Sequence, residues 1–324
     1  MSKILVTGGA GFIGSNIVAR LIKDGHTVII LDDLSSGHLS LVHPKASFIK
    51  GSAINDDDLA NCFSHGPELV IHMAALFANQ NSVDHPDTDL LVNGLGTIRV
   101  LESSKQASVQ KFLYVSSSCV YGNKTEMEES DLSYSPDTPY AITKLLGERY
   151  STFWAQQHGL NVVMVRLFNT FGPGEMPGAY RNVIPNFIAK ALKGEPLPIT
   201  GTGEETRDFT YIDDTVSGIL AALFEKTEAG EVFNIATGRK TKIIDIAKII
   251  NTYLGNKGGV EFLPRRSWDH VTNRRADTTK ALKILNFKAS HGMQAGIHKT
   301  CDWIRDNYKP VSYTHLTLPT IYSV

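Results

Sequence analysis

Tyr140 and Lys144 set a phenol and an ammonium four residues apart in the run Tyr140-Ala141-Ile142-Thr143-Lys144. Four residues is just over one helical turn, so on a helix both side chains emerge on one face. A nearby cation favours phenolate and lowers a tyrosine pKa toward neutrality. Phenolate can then take a proton from a sugar or alcohol hydroxyl. In a chain with eleven tyrosines such a pair arises about once by chance, so position has to give it weight. Upstream, Ser116-Ser117-Ser118-Cys119-Val120-Tyr121-Gly122 closes an apolar strand with hydroxyls. Hydroxyls at a strand end facing a Tyr-Lys pair form the set needed to hold and deprotonate an alcohol. The bland reading of each part is a solvated helical pair and a serine-rich turn.

The N-terminus signals what would accept the electrons. Lys3-Ile4-Leu5-Val6-Thr7 reads as a buried strand, followed at once by Gly8-Gly9-Ala10-Gly11-Phe12-Ile13-Gly14 and a helix. Ile13, Ile17, Val18, Leu21 and Ile22 give that helix one apolar stripe, and Gly25 sits past its last turn. The early glycines allow a tight turn and let backbone N–H groups approach a pyrophosphate at the helix N-terminus. Gly14 lets helix and strand pack closely. A second strand, Thr27 to Leu31, ends in Asp32, eighteen residues beyond Gly14, where an acid accepts hydrogen bonds from an adenosine ribose. A carboxylate there repels a 2′-phosphate, which predicts NAD rather than NADP.

The remaining elements must bring these pieces together. Strands are expected at 47–50, 69–72, 111–116 and 161–167, with helices at 56–63, 87–107 and 138–158. Alternation of this kind predicts a parallel α/β sheet covered on both faces. Past Phe168, Gly172-Pro173-Gly174-Glu175-Met176-Pro177-Gly178 is a turn-rich crossing. Helices at 183–193, 243–254 and 281–285 then build a smaller lobe over the strand ends, where open α/β sheets bind ligands. The expected division is 1–170 for the dinucleotide-binding domain, with a return to it around 208–238. Segments 171–207 and 239–310 form the substrate lobe. Residues 311–324 carry no helical period and read as a non-native end, the alternative being a tail that pairs with a neighbouring chain.

Composition sets outer bounds. The 324 residues are 42% hydrophobic with a formal net charge of −1, which gives no reason to invoke nucleic acid or an anionic membrane. No apolar run approaches the roughly eighteen residues that span a bilayer, and the N-terminus reads as a core strand rather than a signal peptide. Cys62, Cys119 and Cys301 show no metal-ligand spacing, so no metal is expected and a reducing cytoplasm is the simplest compartment.

Taken together, these motifs resemble the extended short-chain dehydrogenase/reductases of the nucleotide-sugar epimerase and dehydratase group, over about residues 1–307. The resemblance implies a Rossmann-type doubly wound sheet, NAD, a nucleotide-diphosphate sugar as substrate, and a homodimer formed through the helices at 87–107 and 138–158. Gly8, Gly11 and Gly14, with Phe12 and Ile13 between them, match the family's cofactor fingerprint. His72-Met73-Ala74-Ala75 matches the motif that sets Ala74 beside the cofactor, and Asn93 the helix residue bracing it. Tyr140, Lys144 and Ser117 match the catalytic set, with Ser118 able to assist. Asn169, in Arg166-Leu167-Phe168-Asn169, is similar to a residue touching the substrate diphosphate, Arg207 to one gripping it, and Arg266 with Asp269 to a nucleotide-binding Arg-x-x-Asp. After Gly51 the family often has Asp and an aliphatic residue near the adenine; here Ser52 and Ala53 stand there.

Within the group, 4,6-dehydratases carry an Asp-Glu pair after the catalytic Ser/Thr, and UDP-glucuronate decarboxylases keep the Glu. Ser118-Cys119 offers no carboxylate, so C4 epimerisation of the UDP-glucose/UDP-galactose type, which needs no second acid/base, is the expected activity. GDP-mannose 3,5-epimerases have a Cys where Cys119 stands, paired with a Lys that the stretch Arg181-Asn182-Val183-Ile184-Pro185 lacks. Cys119 therefore reads as a small buried hydrophobe, with such an epimerase as the alternative. A noncatalytic NAD-sensing module is another alternative, one with little need for Ser117, Tyr140 and Lys144 together. In the 4-epimerases a residue shortly after Arg-x-x-Asp guards the pocket for the sugar's 2-substituent. Here that is Asn273, which would leave room, or Arg274, which would favour an acidic group or close the pocket.

Overall fold

The computed structural model describes residues 1–131, 136–265 and 272–308; Arg266, Asp269 and the segment 311–324 lie outside them. A seven-stranded sheet is built from β1 (Lys3–Thr7), β2 (Thr27–Asp32), β3 (Ser47–Lys50), β4 (Leu69–His72), β5 (Lys111–Ser117), β6 (Val162–Leu167) and β7 (Glu231–Ile235). Their order is β7-β6-β5-β4-β1-β2-β3, with every pairing parallel. The chain runs outward from β1 to β3 and then returns to β4 on the other side of β1. That reversal opens a crevice beyond the carboxyl ends of β1 and β4.

Burial on both faces explains the apolar strands. Ile4 and Val6 pack with Ile17, Val18 and Leu21 of helix α1 (Phe12–Lys23) on one face. Leu5 and Ile29 pack with Leu59 of α2 (Asp56–Ser64), Leu101 of α3 (Gly96–Gln106) and Trp154 of α4 (Pro139–His158) on the other. Successive strand residues point to opposite faces, so a strand buried twice must be apolar throughout.

Local chemistry fixes the helix ends. Asn55 accepts from the Asp58 N–H at the start of α2, whose first turn holds three aspartates against the positive end of the helix. Thr138 Oγ1 accepts from the Ala141 N–H at the start of α4, Pro139 takes its first position, and Gly159 closes it at φ +66°.

The helix expected at 87–107 is interrupted. A turn at Pro86–Asp89 leads into a widened π turn over Leu90–Leu95, and α3 follows. Asn93 lies in the widened turn, where its side chain reaches the loop after β4. Such a bulge re-aims a side chain without ending the helix.

Two other helices complete this part of the fold. A short one, Asn79–Asp84, precedes Pro86. After the helix α5 (Val183–Leu192), a thirteen-residue helix α6 (Ile212–Phe224) packs on the sheet and leads into β7. The sequence reading assigned no helix to 212–224. Its large apolar residues Ile212, Val216, Ile219, Leu220 and Leu223 do fall at three- and four-residue spacing, a signal that was there to be read, and the buried Asp214, Thr215 and Gly218 widen the covered face beyond that stripe.

Short pairings tie the later segments together. Thr206–Arg207 pairs antiparallel with Thr241–Lys242, Leu197–Thr200 pairs parallel with Val260–Leu263, and Arg275–Ala276 pairs parallel with Glu126–Met127. The last pairing carries residues 272–276 over the end of β5. Helices α7 (Ile243–Leu254), α8 (Thr279–Leu285) and α9 (Met293–Asn307) surround these pairings. Among the described residues no helix is long and apolar enough to cross a membrane.

Candidate active site

The glycine turn between β1 and α1 is shaped for close approach. Gly8 has φ +74°, and a Cβ on it would stand 2.9 Å from the Ala74 nitrogen. A Cβ on Gly14 would overlap the Gly8 carbonyl oxygen, so this helix can begin against the turn only with glycine there. Gly11 caps α1 with its backbone alone, and Phe12 and Ile13 open the helix, which leaves first-turn N–H groups directed outward. A cradle that side chains would fill, at a helix N-terminus, fits the pyrophosphate of a dinucleotide.

Asp32, at the end of β2, is buried. Its Oδ2 accepts from the Ala10 N–H at 2.9 Å and its Oδ1 from the Leu34 N–H at 2.9 Å. Burial pushes its pKa up, and those two hydrogen bonds pull it back. Each oxygen retains acceptor capacity toward a ribose. A cavity of about 600 Å³ opens beside it, between the loop 34–38, Leu76 and Phe77, and the segment 176–181. The Ser52 N–H donates to Asp58 Oδ2 at 2.8 Å and Ala53 is buried, and neither side chain carries the carboxylate that the family often has there.

A hydrogen-bond chain sets the loop after β4. Thr7 Oγ1 accepts from the Met73 and Ala74 N–H groups, both at 3.2 Å, and lies 2.8 Å from His72 Nδ1. Thr97 Oγ1 donates to the Asn93 carbonyl at 2.6 Å and lies 3.0 Å from His72 Nε2. Thr97 is thereby an acceptor for an Nε2–H, and Thr7 is the donor to Nδ1. Burial first, then the Lys144 charge, lowers the His72 pKa to about 3 and keeps the ring neutral. Asn93 Oδ1 accepts from the Leu76 N–H at 2.7 Å, a tie between the π turn and the loop that carries Ala74.

Tyr140 and Lys144 lie one turn apart on α4, 6% and 4% exposed. The Tyr140 N–H donates to Ser82 Oγ at 3.0 Å, and the ring meets Phe77 edge-on at 5.9 Å. Lys144 Nζ donates to the Val115 carbonyl at 2.9 Å, inside β5, and stands 5.7 Å from the Tyr140 ring centre. Burial lowers the Lys144 pKa to about 8, against the raising effects of Asp89, Glu148 and Cys119. The expected lowering of the Tyr140 pKa by Lys144 is not present in the protein alone. Burial and Cys119 push the phenol above its ordinary value, and a hydrogen bond with Ser117 pulls it down. Desolvation of a fully enclosed phenol outweighs an ammonium that is itself desolvated and engaged elsewhere.

Ser117 ends β5 with its Oγ accepting from the Cys119 N–H at 3.2 Å. The next turn, Ser118–Tyr121, buries Ser118 and leaves Cys119 half-buried. Ser117, Cys119, Tyr140 and Lys144 therefore share one pocket. Arg274 enters it from the far side: its Nη2 donates to the Gly122 carbonyl at 3.1 Å and its Nη1 lies 3.9 Å from Cys119 Sγ. Asn273 instead turns away, accepting from Thr206 Oγ1 at 2.8 Å. Of the two gate candidates, the fold puts Arg274 in the pocket.

Three buried carboxylates support this set. Asp89 accepts from Thr143 Oγ1 and Asn93 Nδ2, both at 2.7 Å, which locks α4 to the π turn. Glu148 holds Arg166 in a two-pronged pair at 2.8 and 2.7 Å and accepts from Ser116 Oγ at 2.6 Å. Asp208 accepts from the N–H groups of Thr237, Gly238 and Ala276 at 3.0, 2.9 and 3.3 Å, which fastens the segment bearing Arg274 to the one bearing Arg207. The sequence reading gave none of the three a role. Spacing held a signal for two: Asp89 precedes Asn93 by one helical turn, and Glu148 follows Lys144 by one.

The candidate diphosphate contacts come from adjoining segments. Asn169, at φ +30°, donates from Nδ2 to the Asp208 carbonyl at 3.0 Å. Arg207 Nη1 donates to the Thr206 carbonyl at 3.0 Å. Arg166 serves the core through Glu148, with its guanidinium 4.7 Å from the Tyr121 ring centre. Among the described residues no cluster of His, Cys, Asp or Glu could hold a metal ion.

Known proteins are similar to this chain over most of its length. A putative UDP-glucose 4-epimerase from Methanocaldococcus jannaschii is 35% identical over 94% of this chain and 99% of its own. An epimerase structure from Methanothermobacter thermautotrophicus is 44% identical, covers 95% of this chain and 93% of its own, and superposes with a TM-score of 0.93. The UDP-glucose 4-epimerase of Thermotoga maritima, solved with UDP-glucose, is 34% identical over 95% of this chain and 100% of its own, with a TM-score of 0.90. The family described as NAD dependent epimerase/dehydratase matches residues 4–236. With matches of this breadth, this chain belongs to the NAD-dependent epimerase/dehydratase family and modifies a nucleotide sugar.

Proposed function

We propose that the protein inverts C4 of a nucleotide-diphosphate sugar through a 4-keto intermediate. The observation that carries this reading is the grouping itself: Lys144 Nζ stands 5.7 Å from the Tyr140 ring centre, Ser117 at the end of β5 lies close enough to pull the phenol pKa down, and residues 118 and 119 supply no carboxylate. NAD, when bound, supplies the hydride acceptor and donor, and its positive nicotinamide ring adds charge that favours the Tyr140 phenolate. Tyr140 takes the proton of the sugar 4-hydroxyl, and Ser117 orients that hydroxyl, with Ser118 assisting. Lys144 holds the nicotinamide ribose and adds to the positive field. Arg207, Asn169, Arg266 and Asp269 anchor the nucleotide diphosphate while the keto sugar turns, and Tyr140 returns the proton.

The substrate panel is UDP-, GDP-, CDP- and dTDP-sugars, with products read by NMR. Tyr140→Phe is expected to cut turnover by about a hundredfold or more, as loss of an acid/base group does, while NAD remains bound. In heavy water the C4 hydrogen returns as hydride, so no deuterium enters carbon.

A second reading has one observation in its favour, the Arg274 guanidinium 3.9 Å from Cys119 Sγ, which sets a sulfur and a cation together where a sugar carbon could exchange protons. Deuterium at C3 or C5, together with an inactive Cys119→Ser enzyme, would replace C4 inversion with that chemistry. The protein is also proposed to form a homodimer. Leu90, Leu91, Leu95, Ile142 and Phe153 are exposed apolar side chains on the two helical segments expected to pair. Sedimentation equilibrium showing monomer alone at micromolar concentration would remove the dimer.

A further inference from the structure

Arg274 is a buried cation, 9% exposed, with no carboxylate bonded to it among the described residues. Its Nε has no partner among the described residues, and its remaining contacts are one carbonyl and one thiol. The arginines on either side of this pattern are paired. Arg166, 1% exposed, takes Glu148 with two prongs, and the exposed Arg275 takes Glu126 at 2.5 Å. A guanidinium offers five donors in a rigid fork matched to a carboxylate. Burying one without a counter-anion is costly, so an anion arriving with the ligand would be strongly favoured.

Position says which part of the ligand that anion belongs to. Arg274 rests on Cys119, whose N–H donates to Ser117 Oγ at the end of β5. It therefore stands at the reacting end of the pocket, on the sugar rather than beside the phosphates. The backbone leaves it little freedom to retreat. The Arg274 N–H donates to the Thr206 carbonyl at 3.1 Å, the next residue enters the pairing with Glu126, and Asp208 fixes the Ala276 N–H.

Resting on the nucleotide-sugar reading above, we propose that the sugar is a hexuronate, whose C6 carboxylate Arg274 binds. C6 is attached to C5, the neighbour of the reacting C4, so a carboxylate there reaches a cation beside Cys119 while the 4-hydroxyl faces Tyr140; this differs from the 2-substituent that the resemblance alone would set against Arg274. A neutral hexose has only a hydroxymethyl group to offer and leaves the guanidinium uncompensated.

The test is calorimetric binding to the NAD-loaded full chain, using glucuronate and glucose esters of UDP, dTDP and GDP, the free nucleotides, and UDP-N-acetylmuramate, whose carboxylate sits on a C3 ether. With the nucleotide that binds, the glucuronate ester is expected to bind at least about tenfold tighter than the glucose ester, the scale of a hydrogen-bonded charge. Arg274→Gln should erase that preference while free-nucleotide affinity stays within about twofold, and Arg274→Lys should keep part of it. Equal affinity for the two esters in the unaltered protein overturns the proposal, whatever the variants do. So does a preference that survives Arg274→Gln, or tighter binding of the muramate than of the glucuronate. Uronate preference without C4 inversion would sink the epimerase reading and leave this one standing. C4 inversion of UDP-glucose without uronate preference would do the reverse. Binding of none of the esters would end both.

Discussion

Glu175 lets a single substitution test how the loop after β6 is held. The carboxyl is 2% exposed, Asn182 Nδ2 donates to its Oε1 at 2.8 Å, and its Oε2 has no partner among the described residues. Burial pushes its pKa up to about 8, against the weaker pull of Asn182 and Arg181. The folded pKa lies above the ordinary value, so the folded protein holds a proton that the unfolded chain releases. Glu175 thus favours folding fully below pH 4.5, and that contribution is lost as pH rises through about 8. Within the window, stability should fall by about 1.4 kcal/mol per pH unit. Between pH 5.5 and 7.5 that is about 3 kcal/mol, or about 5 °C in Tm for a chain of this size. Glu175→Gln keeps the acceptor for Asn182 and removes the titration. Its Tm relative to the unaltered protein should therefore rise by about 5 °C across that range. Scanning calorimetry at half-unit steps reads the difference, in which every other titrating group cancels. Parallel curves for the two proteins would show that Glu175 is ionised in the fold and would refute the reasoning.

Two further perturbations probe the scaffold of the site. Gly14→Ala places a methyl group against the Gly8 carbonyl oxygen, so the turn must open; the purified variant should carry far less NAD, and an Ala variant with full NAD content would contradict the close packing. Arg166→Met strands the buried Glu148 charge and should cost about 3–5 kcal/mol in urea denaturation. Adding Glu148→Gln should recover part of that loss, and a fully additive double variant would show that the pair does not act as a unit.

What the sequence determines by itself is chemistry that is local along the chain. Strand, glycine turn, helix, strand and Asp32 follow within about thirty residues, and the fold sets them together as their spacing demands. Tyr140 and Lys144 are one turn apart on any helix, and the capping Thr138 with Pro139 says where that helix starts. The sheet follows from alternation, because periods of 2 and 3.6 are written in neighbouring residues.

Tertiary structure decided whatever depends on long-range partners or on desolvation. The apolar spacing of 212–224 was legible, but which polar residues of that helix are covered, Asp214 and Thr215 among them, depends on what packs there. Arg166 and Glu148 are eighteen residues apart and Asp208 meets Ala276 across sixty-eight, separations that carry no pattern. Tyr140 has Lys144 one turn away, as its spacing requires, yet burial raises rather than lowers its pKa. Asn273 and Arg274 were equal candidates until the pairing of Arg275–Ala276 with Glu126–Met127 sent one outward and the other onto Cys119. In an extended segment adjacent side chains point to opposite sides, and only the register with the partner strand chooses which of them faces the pocket.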